Sequence, residues 1–380
     1  MVWQETTSKS EQMIKKIPIA FPDLSGNELN YLTDCIKTSW ISSAGPYIKR
    51  FEEEFASYCD ISHGIATSNG TVALHLALTA LGISKDDEVI VPSLTFVASA
   101  NSIRYCGAKP VFVDSDPHTW NMDVSKIENL ITPKTRAIMP VHLYGNPCNM
   151  KEIRKIADEH GLFIVEDAAE AHGATYRGEK VGSLSDIGCF SFFGNKIIST
   201  GEGGMCITND EFLAEKMRKL KDHGMSKQKK YWHDLMGFNY RMTNLQAAVG
   251  LAQLERIDYF LACKRMIFST YRKHLAGLKG IHFQKELPDA KSVYWMVSLL
   301  FDNEFGFNKQ DVANHLEENG VETRPVFYPI HHMPPYKEYL KMPICEWISK
   351  NSLTLPSFVG LDEEKVKYIC EKIIGLTNIN

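Results

Sequence analysis

The sequence predicts an α/β protein: a large domain around a mixed, mostly parallel sheet, followed by a smaller C-terminal α/β domain. Three observations predict it. From residue 88 onward, short β-prone apolar runs alternate with helical stretches, the rhythm of a parallel sheet with crossover helices. The chain has 380 residues, enough for one large core and a second, smaller one. Near residue 260 the alternation gives way to a different pattern, so 17–260 reads as the large domain and 261–380 as the small one.

The first sixteen residues are polar and lack an apolar core segment, which suits a loose tail, not a signal peptide. The segment 17–22 reads as a short extended entry. Ser25 is placed to cap a helix over 27–38, with Leu29, Leu32, Cys35 and Ile36 on one face. The stretch Trp40-Ile41-Ser42-Ser43-Ala44-Gly45 is a loop, and a second helix follows over 47–59. Ser68-Asn69-Gly70-Thr71 opens a helix over 72–81. Free N–H groups and the positive end of the helix dipole make such a place an anion site, and a plain N-cap needs the same residues.

The runs 88–91, 110–113, 137–141 and 163–165 are strands, with helices over 125–131 and 150–160 between them. Phe96 follows the first of these strands; an aromatic there is core, or it stacks on a planar ligand. Glu166-Asp167-Ala168-Ala169-Glu170 follows a strand, and its small alanines allow close approach. A carboxylate there can pair with a protonated ring nitrogen, and a solvated acidic turn has the same composition.

The stretch 189–206, CFSFFGNKIISTGEGGMC, draws most attention. An apolar strand over 187–193, with Ser191 inside it, breaks at Gly194-Asn195. A single lysine, Lys196, then precedes Gly201, Gly203 and Gly204, which let the backbone pass close to something bulky. A desolvated lysine at such a turn is a candidate for imine chemistry with a carbonyl. Lys196 follows Asp167 by 29 residues, enough for one connecting unit that returns both to the same sheet edge.

Lys227, Lys229 and Lys230 with Tyr231 and Trp232 make either a solvated face or a loop suited to a diphosphate. A helix over 244–257 and a long helix to 275 follow, then a strand over 294–301 and a helix over 310–319 ended by Gly320. The segment 322–336 holds four prolines, which fix an irregular loop. His331 and His332 lie in it without acidic spacing nearby, so no metal is expected. A helix over 362–374 closes the chain.

Composition narrows the partners. A net charge of −4 gives no overall basic field, so nucleic acid is not an expected partner. No run approaches the roughly 20 apolar residues of a membrane span. Nine scattered cysteines without a C-x-x-C pair suit reduced thiols in the cytoplasm.

The aromatic run, the Asn195-Lys196 pair and Thr200-Gly201-Glu202-Gly203-Gly204 resemble, in order, the lysine motif of the DegT/DnrJ/EryC1/StrS sugar aminotransferases. Gly237-Phe238-Asn239-Tyr240-Arg241-Met242 resembles that family's second motif. The resemblance covers the chain from about residue 17 onward. It implies a pyridoxal-phosphate-dependent transferase of fold type I, aspartate-aminotransferase-like, acting as a homodimer with shared active sites. It implies that Lys196 carries the cofactor and acts as base, and that Asp167 pairs with the pyridine nitrogen. Gly70, Thr71 and Ser191 then hold the phosphate, Phe96 stacks on the ring, and Glu170 contacts the ring hydroxyl. Asn239 reaches the partner's cofactor phosphate. Trp40, Ser42, Ser43, Tyr231, Trp232, Arg241 and His331 fall at substrate positions.

Trp40-Ile41-Ser42-Ser43, Tyr231-Trp232 and Met333-Pro334-Pro335-Tyr336 are similar to the branch that moves an amino group from L-glutamate to C4 of a GDP-linked 4-keto-6-deoxy sugar. UDP- or dTDP-linked sugars, and C3 amination, stay open. So does a non-catalytic cofactor-binding regulator. A related dehydratase carries histidine in place of Lys196. A nicotinamide-dependent enzyme lacks support, since no G-x-G-x-x-G follows the first strand.

Overall fold

The computed structural model describes residues 16–337 and 340–377. The expected tail, 1–16, lies outside the described residues apart from Lys16. Nine strands arise in the first half: β1 (His63–Thr67), β2 (Glu88–Pro92), β3 (Lys109–Val113), β4 (Thr135–Ile138), β5 (Phe163–Asp167), β6 (Thr175–Tyr176), β7 (Glu179–Lys180), β8 (Ile187–Ser191) and β9 (Gly204–Thr208). All but β6 and β7 form one seven-stranded sheet in the order β1-β9-β8-β5-β4-β2-β3. Neighbours pair in parallel except around β9, which runs against both β8 and β1. The reason lies in the connection after β8. A parallel return needs a crossover of a dozen or more residues, usually helical. The segment carrying Lys196 instead turns back directly, helped by Gly201 at φ +80°.

The helices of this half are α1 (Glu28–Thr38), α2 (Pro46–Tyr58), α3 (Gly70–Leu81), α4 (Ala98–Tyr105), α5 (Met150–His160), α6 (Glu211–Lys221), α7 (Asn244–Leu254) and α8 (Ile257–Leu275). Almost every residue of α3 is apolar, and Ala73, Leu74, Leu76, Ala77, Leu78 and Ala80 are buried. A helix apolar all round belongs inside a core. Here it lies between the sheet and α4 and α6.

The second half adds β10 (Ile281–Phe283), β11 (Ala290–Lys291), β12 (Val297–Phe301), α9 (Lys309–Glu318), β13 (Arg324–Pro325), α10 (Pro343–Asn351), β14 (Ser352–Leu355) and α11 (Glu363–Thr377). An antiparallel sheet, β10-β12-β14-β13, packs its apolar face against α8, α9 and α11. Two cores meet along α8. Ile257, Phe260 and Leu261 belong to the large core, while Ile267, Phe268, Tyr271 and Leu275 belong to the small one. Ile17 joins the small core too, bridging Val321.

Three expectations change. Ser25 does not cap α1, which starts at Glu28 behind Asn27; its hydroxyl binds Asp23 and accepts from Arg256 instead. The stretch 125–131 forms two 3₁₀ turns, Val124–Lys126 and Glu128–Leu130, because Asp123 takes the Ser125 N–H and turns the chain tightly. The helix over 244–257 ends at Leu254, where Arg256 turns to pair with Asp23 and lets α8 start in a new direction.

Lys264 ties the junction together. Its Nζ is buried and donates to the Trp295 carbonyl at 2.9 Å, the Ser357 carbonyl, and Ser357 Oγ. Burial pulls its pKa down to about 7. The unfolded chain, titrating near 10.5, therefore binds more protons between pH 7 and 10.5, and stability is lost as pH falls through that window. Lys264→Met should remove this dependence, which is at most about 1.4 kcal/mol per pH unit. Urea unfolding of both proteins at pH 7.5 and 9.5 checks it; parallel stability–pH curves would refute it.

Candidate active site

A parallel sheet presents the carboxyl ends of its strands at one edge, and ligands of such sheets bind there. In this chain that edge gathers Ser68–Thr71 after β1, Ser93–Phe96 after β2, Asp167–Glu170 at the end of β5, and Ser191–Lys196 at the end of β8. Period-2 alternation separates Glu166 from Asp167. Glu166 turns to the fully buried His142, with Nε2 and Oε2 2.8 Å apart, and accepts N–H bonds from Gly182 and Leu184. It is structural. Asp167 faces the other way, only 5% exposed. Its Oδ2 accepts from Ser99 Oγ at 2.7 Å and its Oδ1 from the Ala169 N–H at 3.1 Å.

Lys196 Nζ lies 3.5 Å from Glu170 Oε1 and 3.9 Å from the centre of the Trp295 ring. Glu170 Oε2 accepts the Tyr144 N–H at 2.8 Å. Burial raises the pKa of both Asp167 and Glu170; Ser99's hydrogen bond opposes it most at Asp167, and the Lys196 charge at Glu170. One lysine thus stands beside two buried carboxyl groups, one of which has only neutral hydrogen-bond donors.

The first turn of α3 closes in on β8. A Cβ at Gly70 would come within 2.6 Å of Ser191 Cβ, so only glycine lets the helix start reach the strand end. Asn69 caps the helix, accepting from the Val72 N–H at 3.0 Å. Ser191, a hydroxyl in an otherwise apolar strand, is brought to the positive end of α3.

The chain that carries this lysine, buried carboxylate and helix start at one sheet edge also matches known proteins. The description "DegT/DnrJ/EryC1/StrS aminotransferase family" matches residues 22–374. The chain belongs to this family. It is 51% identical over 361 residues to the GDP-perosamine synthase of Escherichia coli O157:H7, covering 95% of this chain and 98% of that protein. It is 51% identical over 356 residues to the GDP-perosamine synthase of Caulobacter vibrioides, covering 93% and 96%. Among solved structures, DesV of S. venezuelae superposes with a TM-score of 0.88 at 34% identity, covering 92% and 94%. The fold is the aspartate-aminotransferase-like fold type I that the resemblance implied, and the chain is an aminotransferase.

The remaining family positions fall into separate places. Phe96 is half exposed at the edge, 5.9 Å from Phe327, whose ring stacks on Tyr144 at 5.4 Å. Trp40, Ser42 and Ser43 form a loop pinned by Asn244, whose Nδ2 donates to the Trp40 carbonyl at 2.8 Å and whose N–H donates to the Ser42 carbonyl. Asn239 Oδ1 accepts from Arg241 Nε at 3.0 Å, and Arg241 pairs with Asp222 at 2.8 Å. Tyr240, between them, accepts the Ser68 N–H and so ties this segment to the start of α3. Tyr231 and Trp232 are exposed, with Lys230 and Lys229 resting on their rings at 5.2 and 4.2 Å.

Among the described residues, no hydrogen bond or ion pair joins Lys196 to Trp40–Ser43, Tyr231, Trp232, Asn239 or Arg241. His331 is fully buried, with Nδ1 2.7 Å from Ser93 Oγ and Nε2 3.3 Å from Glu346 Oε1. His332 Nε2 lies 3.5 Å from the same oxygen. Glu346 supplies, from α10, the acidic neighbour that the local sequence lacks.

Pyridoxal phosphate fits these residues. Asp167 is a buried carboxyl group without a cationic hydrogen-bond partner, and a protonated pyridine nitrogen would provide one. The Gly70–Ser191 approach sets the Ser191 hydroxyl beside the first-turn N–H groups of α3, the donors a phosphate there would take. Sequence reasoning missed Ser99, Tyr144 and Trp295, which hold Asp167, Glu170 and Lys196. Ser99 sits in a run of small residues, and Trp295 reads as an apolar strand residue; neither has a local signal.

The raised Asp167 pKa implies a stability cost. Burial holds its folded carboxyl group above the ordinary aspartate range, so stability is lost as pH rises through the folded pKa. Asp167→Asn should therefore raise the melting temperature of cofactor-free protein at pH 8, with a smaller gain at pH 5. Scanning calorimetry checks it. A lower melting temperature at pH 8 would show that Asp167 stabilises the empty site.

Proposed function

We propose that the chain transfers an amino group from L-glutamate to C4 of GDP-4-keto-6-deoxy-D-mannose, forming GDP-perosamine, with pyridoxal 5′-phosphate held at Lys196. The observation that carries the reaction type is Lys196 Nζ at 3.5 Å from buried Glu170, on the sheet edge that also holds buried Asp167. The GDP sugar rests on the 51% identity to two GDP-perosamine synthases.

When bound, pyridoxal phosphate supplies an electron sink that lets an amino acid lose its α-proton. The chain's residues do the rest. The N–H groups of Gly70 and Thr71 and the Ser191 hydroxyl hold the phosphate. Phe96 covers the ring. Asp167 keeps a proton on the pyridine nitrogen, held in place by Ser99 Oγ and the Ala169 N–H. Glu170, fixed by the Tyr144 N–H, would contact the ring hydroxyl.

With the cofactor bound, Lys196 Nζ would be the base that removes the proton from the L-glutamate α-carbon. Water would supply the keto oxygen of 2-oxoglutarate as it is released, and once the keto sugar had entered the same nitrogen would deliver a proton at sugar C4. The exposed loops with Trp40, Ser42, Ser43, Tyr231, Trp232 and Arg241 bind the nucleotide sugar. His331, buried against Ser93, fixes the loop behind it.

The enzyme works as a homodimer. Asn239 and Trp40–Ser43 make no bond to their own Lys196, and the partner's cofactor phosphate is the place for Asn239 to act. A cytoplasmic setting belongs to the same reading, supported by nine free cysteines.

Comparing kcat/KM for GDP-, UDP- and dTDP-linked 4-keto-6-deoxy sugars, with L-glutamate saturating, tests the substrate. A base read by one buried hydrogen bond is worth about 1–3 kcal/mol, so GDP should win by roughly tenfold or more. A preference for UDP or dTDP sugar moves the enzyme to a sister specificity. Activity on 3-keto sugars alone changes the regiochemistry, and no turnover with any of these acceptors leaves a cofactor-binding regulator.

Mixing Lys196→Ala with Asn239→Ala tests the shared site. Each mixed dimer would carry both lesions in one site and neither in the other, so activity should rise well above either parent. No rise, with subunit exchange shown by native mass spectrometry, would mean a site built within one chain.

A further inference from the structure

Trp295 is a large aromatic residue, 4% exposed, at the point where the small domain meets the lysine turn. Its ring lies 3.9 Å from Lys196 Nζ. Its Nε1–H donates at 2.6 Å to the carbonyl of Asn195, the residue before the lysine. Its own backbone is fixed at both ends. The N–H donates to the Tyr144 carbonyl at 3.0 Å, and the carbonyl accepts from Lys264 Nζ at 2.9 Å. Tyr144 stacks on the same ring at 6.1 Å and holds Glu170 through its own N–H.

Apolar filling does not account for this arrangement. A buried indole N–H needs an acceptor in any role, but here the acceptor is the carbonyl next to the lysine and the same ring's face lies beneath that lysine's amine, two directional contacts. Both act on the same short turn. Lys196 sits on a connection between two strands, where no helix or ladder of its own fixes the chain. Its side chain has four rotatable carbon–carbon bonds, and an ordered resting place for Nζ has to come from neighbours. Glu170 supplies one contact, and Trp295 supplies the other.

We propose that Trp295 is a positioning residue for Lys196. Through Nε1–H it sets the carbonyl preceding the lysine, and through its ring face it sets where Nζ rests beside Glu170. Lys264 and Tyr144 act through it by holding its backbone. The inference rests on Lys196 as the cofactor-bearing lysine. In catalysis, misplacement of a reacting group by about 1 Å costs about 100-fold.

Two variants separate the contacts. Trp295→Phe keeps a ring face and loses the N–H, while Trp295→Leu loses both. The full chain of each is loaded with pyridoxal phosphate. Three quantities are then read: borohydride labelling of Lys196 by peptide mass, the induced visible circular dichroism of the cofactor, and kcat and KM for L-glutamate. Trp295→Phe should lower kcat about tenfold, equivalent to about 1.4 kcal/mol, with KM unchanged within about twofold. Trp295→Leu should lower kcat about 100-fold and weaken the induced dichroism while Lys196 is still labelled.

A purely structural role would lower the melting temperature and leave kcat and dichroism untouched, and that result in Trp295→Phe overturns the proposal. Should Trp295→Leu fail to fold, Trp295→Phe decides alone. A wild-type protein without borohydride label at Lys196 refutes the cofactor reading itself; label in all three proteins with unchanged kcat refutes only the role of Trp295.

Discussion

The structure depends on keeping two carboxyl groups, Asp167 and Glu170, out of water beside a single lysine. Burying a carboxylate costs several kcal/mol unless a cation and hydrogen bonds compensate it. The fold does this only in part. Ser99 and the Ala169 N–H serve Asp167, Tyr144 N–H and Lys196 serve Glu170, and burial still raises both pKa values. Folding alone would replace Asp167 with an apolar residue. Its retention makes sense only if a positively charged group belongs against it, which is why this cluster points to chemistry and not to packing.

The sheet delivers that cluster with little local design. Parallel strands β5 and β8 end side by side, so residues 29 apart in sequence arrive at one edge. The antiparallel β9 then brings the chain straight back, and its register sets Gly204 opposite Ser191. At Gly204 an added Cβ would come within 2.4 Å of the Asn69 carbonyl oxygen. The glycines after Lys196 therefore serve the approach of β9 to the α3 cap as much as the approach of any ligand. One strand reversal fixes the lysine, the hydroxyl and the helix start together.

Strand and helix rhythm was legible, because it depends on local periodicity. The helix over 150–160 matches α5, and the strands over 88–91 and 110–113 match β2 and β3 within a residue or two. The 3₁₀ turns at 124–130 were not, because one aspartate side chain outbid a short helical pattern. Asp167 and Lys196 could be picked out by their places after strands. Glu166 could be set aside only once alternation was fixed against His142. Ser99, Tyr144 and Trp295 were invisible in sequence, because each acts on a residue at least 26 positions away. Glu346 was missed because it arrives from a separate element, α10, to face both His331 and His332.

The protein separates two kinds of surface. Asp167, Glu170 and Trp295 are each no more than 5% exposed, and their neighbours hold them from several directions. Trp40, Tyr231, Trp232 and Met236 are at least half exposed, on loops whose backbones are tied down while these side chains face solvent. Buried, cross-braced groups tolerate little change, while loop side chains can be replaced with small effect on stability. A family built this way can keep one transamination apparatus and vary the sugar nucleotide it accepts. The nucleotide should therefore be decided by loops that contribute little to folding, and the amino-transfer step by residues that the core cannot release. That division also explains why the reaction type could be read from the lysine turn, whereas the base on the substrate has no residue in the buried cluster to announce it.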